Sequence, residues 1–404
     1  MSCACPFVLA CAVLGCEGST GLHLPAPVST GPSTVNQYRV EPTHQGLAPS
    51  STRLNRHPQV VWSAGPLGIG TYDASKSTPA VSEDRVYVGE DDGMLRALDR
   101  ETGEVIWSFA TRRHFQELGR SDSAFTGIHG SPAFDEHNVY IGDYAGWLYA
   151  VDRKDGGLLW EQPLGGSIGS SPVLDGERLF IAVEFPTPDG KVFVLRASDG
   201  RPMAESAFLG DHIHATVSLD GARESLVVGT NQGLLLSLSP NDLTLRWQQT
   251  VGGAIKSTAA LVDDLAMVTA WDGALHSVSL ASGEPRFQVH TQDRSMSSPA
   301  VWDGIVCFGS HDRSLTCADT NTGQVRWQAF TDGVVSSSPV ILRASRLVVV
   351  GSYDGNLYAF SLDDGILTWR CPLGTSITSV PVAVDRSLFV NDDRGTVWRL
   401  DSPE

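Results

Sequence analysis

Residues 58–404 are predicted to form a single eight-bladed β-propeller, an all-β fold of four-stranded antiparallel blades closed by pairing of the N-terminal strand with the last blade. Three observations predict it. A unit recurs along the chain, opened in turn by Pro79, Pro132, Pro172, Val217, Ala259, Pro299, Pro339 and Pro381, most spacings being 40 to 45 residues and one 53. Each unit divides into four short apolar runs separated by Gly and Asp, and no stretch repeats its apolar residues at helical spacing.

The first blade shows the elements in order. An opening strand follows Pro79, a second runs through Val86-Tyr87-Val88-Gly89, and Asp92-Gly93 marks a tight turn into a third strand ending at Asp99. Thr102-Gly103 turns the chain again, and the last strand ends at Trp107. The same closing position is taken by Trp160, Ala204, Trp247, Phe287, Trp327 and Trp369, whereas the eighth unit stops after Val397–Asp401, one strand short. Val60-Val61-Trp62 stands ahead of the first unit with no opening strands of its own. Pairing it with the last three strands completes the ring and leaves no open sheet edge.

The chain of 404 residues carries 29 Lys and Arg against 46 Asp and Glu, a formal net charge of −17. That balance argues against nucleic acid, whose binding needs a basic face to displace counterions. With 41 Gly and 22 Pro the composition is that of a turn-rich globular protein. Residues 1–15 read as a lipoprotein-type signal peptide: the apolar run Phe7 to Leu14 is too short to span a bilayer. Val13-Leu14-Gly15-Cys16 resembles the bacterial lipobox, which makes Cys16 the lipidation site, although no Lys or Arg precedes it. A conventionally cleaved signal and a plain apolar tail are the other readings. Residues 16–57, dense in Ser, Thr, Pro and Gly, are predicted to be a flexible tether.

Ala97-Leu98-Asp99-Arg100-Glu101-Thr102-Gly103-Glu104-Val105-Ile106-Trp107 resembles the docking motif of the PQQ-like (pyrroloquinoline-quinone-like) propeller repeats. The match is good at Asp152/Gly156/Trp160 and Asp319/Gly323/Trp327, partial at Gly283/Phe287 and Gly365/Trp369, and lost at Ala204. The resemblance implies that Trp62, Trp107, Trp160, Trp247, Trp327 and Trp369 hold blade to blade. Thr43-His44-Gln45-Gly46 also resembles a segment found ahead of such propellers. Signal, tether and eight blades together are most similar to the BamB-type lipoproteins of outer-membrane protein assembly. That implies a monomeric, non-catalytic scaffold without a cofactor, lipid-anchored at the outer membrane and facing the periplasm, whose partner is a membrane protein or assembly-complex subunit. The alternative is a PQQ-dependent oxidoreductase with Ca²⁺, or a quinone or anionic-ligand sensor using the funnel. Against it, no two cysteines are adjacent, and no calcium-binding and catalytic Asp set can be matched. A module binding cell-wall or extracellular ligands is the third reading.

The position three residues before each unit's opening residue begins the innermost strand and should face the central funnel. Around the ring it reads Lys76, His129, Gly169, His214, Lys256, Met296, Ser336 and Thr378, and two residues upstream the same strand face adds His212 and Arg294. Lys76, His129, His212, His214, Lys256 and Arg294 are therefore candidates for an anionic ligand or an acidic peptide. Ordinary solvated funnel residues are the bland alternative, and no metal site is assigned because no carboxylate partner is evident. The insertion 111–128 offers Arg112, Arg113, Phe115, Arg120 and Phe125 as a partner loop, and 184–190 reads as a stiff hairpin tip. Cys307 and Cys317 flank a short hairpin turn and are predicted to form a cross-strand disulfide, against two buried thiols. Gly165-Gly166-Ser167-Ile168-Gly169 has the spacing of a nucleophile elbow, but it links two propeller strands rather than strand to helix, so no catalytic residue is assigned.

Overall fold

A computed structural model describes residues 34–67, 77–112, 127–186 and 188–403. The signal peptide, Cys16 and the tether up to residue 33 lie outside the described residues, as do Lys76, Arg113, Phe115, Arg120 and Phe125. Among the described residues the strands form eight four-stranded sheets. Blades 1 to 7 span residues 80–110, 133–163, 173–205, 218–250, 260–290, 300–330 and 340–372, each in chain order. Blade 8 takes residues 382–401 and closes with Gln59–Ala64, which pairs antiparallel with Val397–Asp401. Neighbouring blades meet through their first strands, so these line the channel.

The core is distributed between blades rather than gathered in one body. Tyr87, Leu95 and Trp107 of blade 1 pack with Val139, Ile141 and Tyr149 of blade 2, and equivalent clusters recur around the ring. Five of the eight joints are locked in the same way. The indole N–H of Trp62 donates to Arg100 O of the next blade at 3.1 Å, Trp107 to Arg153 O at 3.1 Å, Trp160 to Ala197 O at 2.9 Å, Trp247 to Leu280 O at 2.8 Å and Trp327 to Leu362 O at 2.9 Å. Each ring lies flat on the turn glycine of that blade. A Cβ added to Gly156 would stand 2.7 Å from the Trp107 ring, so only glycine fits there, and its φ of +76° is open only to glycine at low cost. Three joints depart from the rule. Phe287 of blade 5 keeps its ring on Gly323 of blade 6 but has no N–H to donate. Where blade 3 has Ala204, blade 4 has Leu243 in the glycine's place, buried and held at φ +58°. At Trp369 the next turn does not exist, because blade 8 pairs Val397–Asp401 with Gln59–Ala64, which is not joined to it by a turn. The His57 ring stands edge-on to that indole at 6.5 Å while donating to Arg370 O.

The described part of the expected tether, residues 34–57, is not a flexible linker. It winds once around the channel and bonds to the blades in turn. Val35 exchanges backbone hydrogen bonds with Val81, Asn36 O accepts from Phe134 N, and the Gln37 side chain accepts from Leu174 N. Pro42, Thr43, Gln45 and Gly46 carbonyls then accept from Leu219, Leu261, Val301 and Ile341, and Arg53 N reaches Asp385 O. Polar composition concealed this because the segment satisfies backbone groups of the inner strands, a task that needs no apolar pattern. Arg39 is buried and donates to His44 O at 3.2 Å and Ser298 O at 2.8 Å. Burial lowers the Arg39 pKa to about 10. His44 is fully buried, with one ring nitrogen 3.0 Å from Val217 O and the other 2.9 Å from Tyr38 O. Burial, reinforced by Arg39, lowers its pKa to about 3.

Cys307 and Cys317 face each other in register and are joined as a disulfide, where blades 1 and 2 have Tyr87 opposite Ala97 and Tyr140 opposite Ala150. Cys371 is a buried free thiol whose pKa burial raises.

Candidate functional site at the channel mouth

The N-terminal segment bonds to the far ends of the first strands, so the residues that lead into those strands form the opposite mouth. Their placement is repetitive. Ile128, Ile168, Ile255, Val335 and Ile377 each fill the hollow left by a glycine ending a second strand: Gly89, Gly142, Gly229, Gly309 and Gly351. The residue that follows each of them, the ring position predicted from sequence, is thereby held at the mouth. A second ring sits beside the first, because Tyr144, Asn231, Trp271, His311, Tyr353 and Asp393 each bond by backbone N–H to the carbonyl two residues before a ring position. Sequence analysis missed this second ring. Aligning the residues two or three places ahead of each turn glycine would have found most of it.

The ring candidates do not gather into one basic patch. They separate into two groups. On blades 5 to 7, the Lys256 ammonium lies 4.8 Å and the Arg294 guanidinium 4.9 Å from the centre of the Trp271 ring, which is 38% exposed. Arg294 Nε donates to His311 Nδ1 at 3.3 Å, which makes Nε2 the protonated nitrogen that donates to Ser336 Oγ at 3.0 Å. Burial first, and then Arg294, lowers the His311 pKa below the usual imidazole value. This half of the mouth presents cations on an aromatic face.

On blades 2 to 4 the histidines meet carboxylates instead. His129 packs at a tilt against Tyr144, centroids 4.6 Å apart, with Nε2 4.0 Å from Asp91 Oδ1. His212 and His214 come from the segment between blades 3 and 4, two residues apart on either side of Ile213, which is buried against Gly190. They converge with Glu184, whose Oε1 is 2.7 Å from His214 Nδ1. Sequence reasoning found no carboxylate partner because Glu184 belongs to the insertion in blade 3, which lengthens strands Arg178–Phe185 and Asp189–Arg196 to eight residues each. A reciprocal backbone pair with Ser167 fixes its position, at 2.7 and 2.8 Å. Ser167 thus sits in a strand bridge rather than a nucleophile elbow.

Of the partner-loop candidates, Arg112 is the one described. It pairs with Glu161, its guanidinium lying 5.0 Å from the centre of the Trp147 ring, so its charge is already matched by blade 2.

Fold and site together define a propeller of the PQQ-like repeat class, closed at one end of its channel and polar at the other. The family described as "Outer membrane protein assembly factor BamB" matches residues 59–126, 116–203 and 188–404, and the chain belongs to that family. It is similar to the outer membrane protein assembly factor BamB of Moranella endobia, 24% identical over 361 residues that cover 85% of this chain and 90% of that protein. The crystal structure of BamB from Moraxella catarrhalis superposes with a TM-score of 0.68 at 18% identity, covering 85% of this chain and 98% of that one. The quinohemoprotein alcohol dehydrogenase of Comamonas testosteroni gives 0.74 at 14% identity, covering 92% and 82%. At these identities the two structures speak for the fold alone.

Proposed function

We propose that the chain is a non-catalytic, extracytoplasmic scaffold, anchored at the outer membrane through Cys16 and facing the periplasm, that binds a subunit of the machinery assembling β-barrel proteins there. The observation that carries this reading is the family match over residues 59–404, joined to relatives named for outer-membrane protein assembly. The physics suits the role. A closed ring presents its loops and rims at fixed geometry, so a partner meets a preorganised surface and little ordering entropy is lost on binding. The outer wall is also uneven: Val61, Ile106 and Leu159 are exposed on blades 8, 1 and 2, where the same strand position of blades 4 to 6 carries Arg246, Arg286 and Arg326.

A second reading, a PQQ-dependent oxidoreductase or a quinone or anionic-ligand sensor, is favoured by one feature: Lys256 and Arg294 on the exposed face of Trp271 suit a flat anion. Calcium takes six to eight oxygen ligands. The one convergent ligating group among the described residues offers a carboxylate with two imidazoles, which does not fit calcium, and no redox step is assigned. Purification from gently solubilised native membranes, followed by mass spectrometry of everything retained, tests both readings. Stoichiometric recovery of barrel-assembly subunits is expected. Recovery of a quinone with calcium and no protein partner would sink the scaffold reading.

A further inference from the structure

Glu184, His212 and His214 bring one carboxylate oxygen and two imidazole nitrogens within 4.8 Å of one another at the mouth. We propose that they form a binding site for a divalent transition-metal ion, zinc in the first instance, with an open coordination position facing the funnel. Two imidazoles and a carboxylate are a donor set of open zinc sites. The inference is independent of the scaffold role.

Three features distinguish the arrangement from an ordinary ion pair. First, the Glu184 side chain is only 5% exposed, and its Oε1 has no hydrogen-bond partner among the described residues although His214 Nδ1 stands 2.7 Å away. The two atoms are close without the alignment of an N–H···O bond, as expected of donors that converge on a shared third point. Second, His212 Nε2 lies 2.8 Å from Phe185 O. A carbonyl only accepts, so the ring proton sits on Nε2 and Nδ1 is left as a bare ligating nitrogen. A backbone carbonyl on the far nitrogen is the usual outer support of a metal-bound histidine. Tyr144 OH supports the other carboxylate oxygen, Glu184 Oε2, at 3.4 Å.

Third, the surroundings make room for the carboxylate. The ring position of blade 3 is Gly169, and a Cβ there would lie 3.2 Å from Glu184 Oε1 and 3.4 Å from the Tyr144 ring. The space vacated on blade 3 is thus used by an acid from the same blade's inserted strand. Tetrahedral zinc with donors at about 2.1 Å holds them about 3.4 Å apart. The close Glu184–His214 pair has to open and a pair near the 4.8 Å limit has to close, both by side-chain rotation as the ion enters. His214 is 29% exposed on its side chain, which leaves the ion a path from the channel mouth.

The test is titration of untagged, chelator-stripped protein with Zn²⁺, and separately with Co²⁺ as a spectroscopic probe. One equivalent should bind, and cobalt should show visible ligand-field bands without the near-ultraviolet thiolate band that Cys371 would give. His212→Ala and His214→Ala should each weaken zinc by at least ~100-fold, beyond the roughly 10–100-fold that loss of an outer support costs. Glu184→Gln, which keeps the volume, should weaken it as well, and His129→Ala should leave it unchanged. Unchanged circular dichroism and melting would show that each variant is folded. Absence of stoichiometric binding at millimolar zinc would overturn the proposal, as would binding that survives both histidine substitutions. In either case Glu184 and His214 form a plain ion pair.

Discussion

At one end of the channel, residues 35–53 meet the inner strands mostly backbone to backbone, and Arg39 and His44 are buried among carbonyls. At the other end, the same inner strands begin with side chains that differ from blade to blade: imidazoles beside Glu184, and cations on Trp271. One repeated scaffold therefore has a closed end built from main-chain bonds and an open end built from individual side chains. Substitutions at the closed end should act on stability, and those at the open end on binding. Loops carry function on a rigid frame for the same reason.

The largest effect is expected from Arg39→Ala. The substitution strips charged donors from the carbonyls of His44 and Ser298, which stay buried, and it empties the space the guanidinium fills. Buried acceptors left unpaired cost about 1–3 kcal/mol each, so a loss on the order of 3–5 kcal/mol is expected from urea midpoints. A loss below about 1 kcal/mol would mean that the segment rests on the propeller without supporting it.

A smaller, graded effect comes from His44. Its folded pKa is about 3 against an ordinary value near 6.5, so below pH 6.5 the unfolded chain takes up a proton that the folded one refuses. The stability this group contributes is complete above pH 6.5 and falls by about 1.4 kcal/mol per pH unit until roughly pH 3. Urea midpoints of the native protein and of His44→Gln, followed from pH 7 to pH 4, should differ by that slope. Parallel curves would instead mean that the Tyr38 and Val217 carbonyls, which face both ring nitrogens and accept only from N–H, hold the ring protonated in the fold. The difference between the two proteins is the proper readout, because the buried Glu90, raised to about 9, works in the opposite direction in both.

What was legible in the sequence follows the same division. The blades were legible because most are encoded locally, by a turn glycine, short buried strands and a closing Trp, and because eight imperfect copies correct one another. The joint between blades 3 and 4 was legible only as a loss, Ala204 for Trp. Its compensation, Leu243 at positive φ, lies in the next blade and becomes visible only when the two are in contact. Residues 34–57 were misread because composition reports how much apolar surface a segment can bury, and this one is held by main-chain bonds to distant strands. At the mouth, alignment of the repeats placed His212 and His214 together. Glu184 escaped because it lies in an insertion, where the repeat offers no register.

The smallest change in stability is expected at the open end, and it sharpens the comparison most. The Trp271 ring is 38% exposed, and Lys256 and Arg294 rest on it. Cation contacts of this kind at exposed sites are worth about 0.5–1 kcal/mol. Lys256→Ala combined with Arg294→Ala should therefore shift the urea midpoint by less than about 1 kcal/mol, several times less than Arg39→Ala. If the mouth receives an acidic segment of a partner, the same pair should weaken that complex, and the weakening should shrink as salt screens the attraction. Affinity unchanged at low salt would move the partner to the outer wall, where Ile106 and Leu159 stand exposed, and would leave the mouth to small ligands alone.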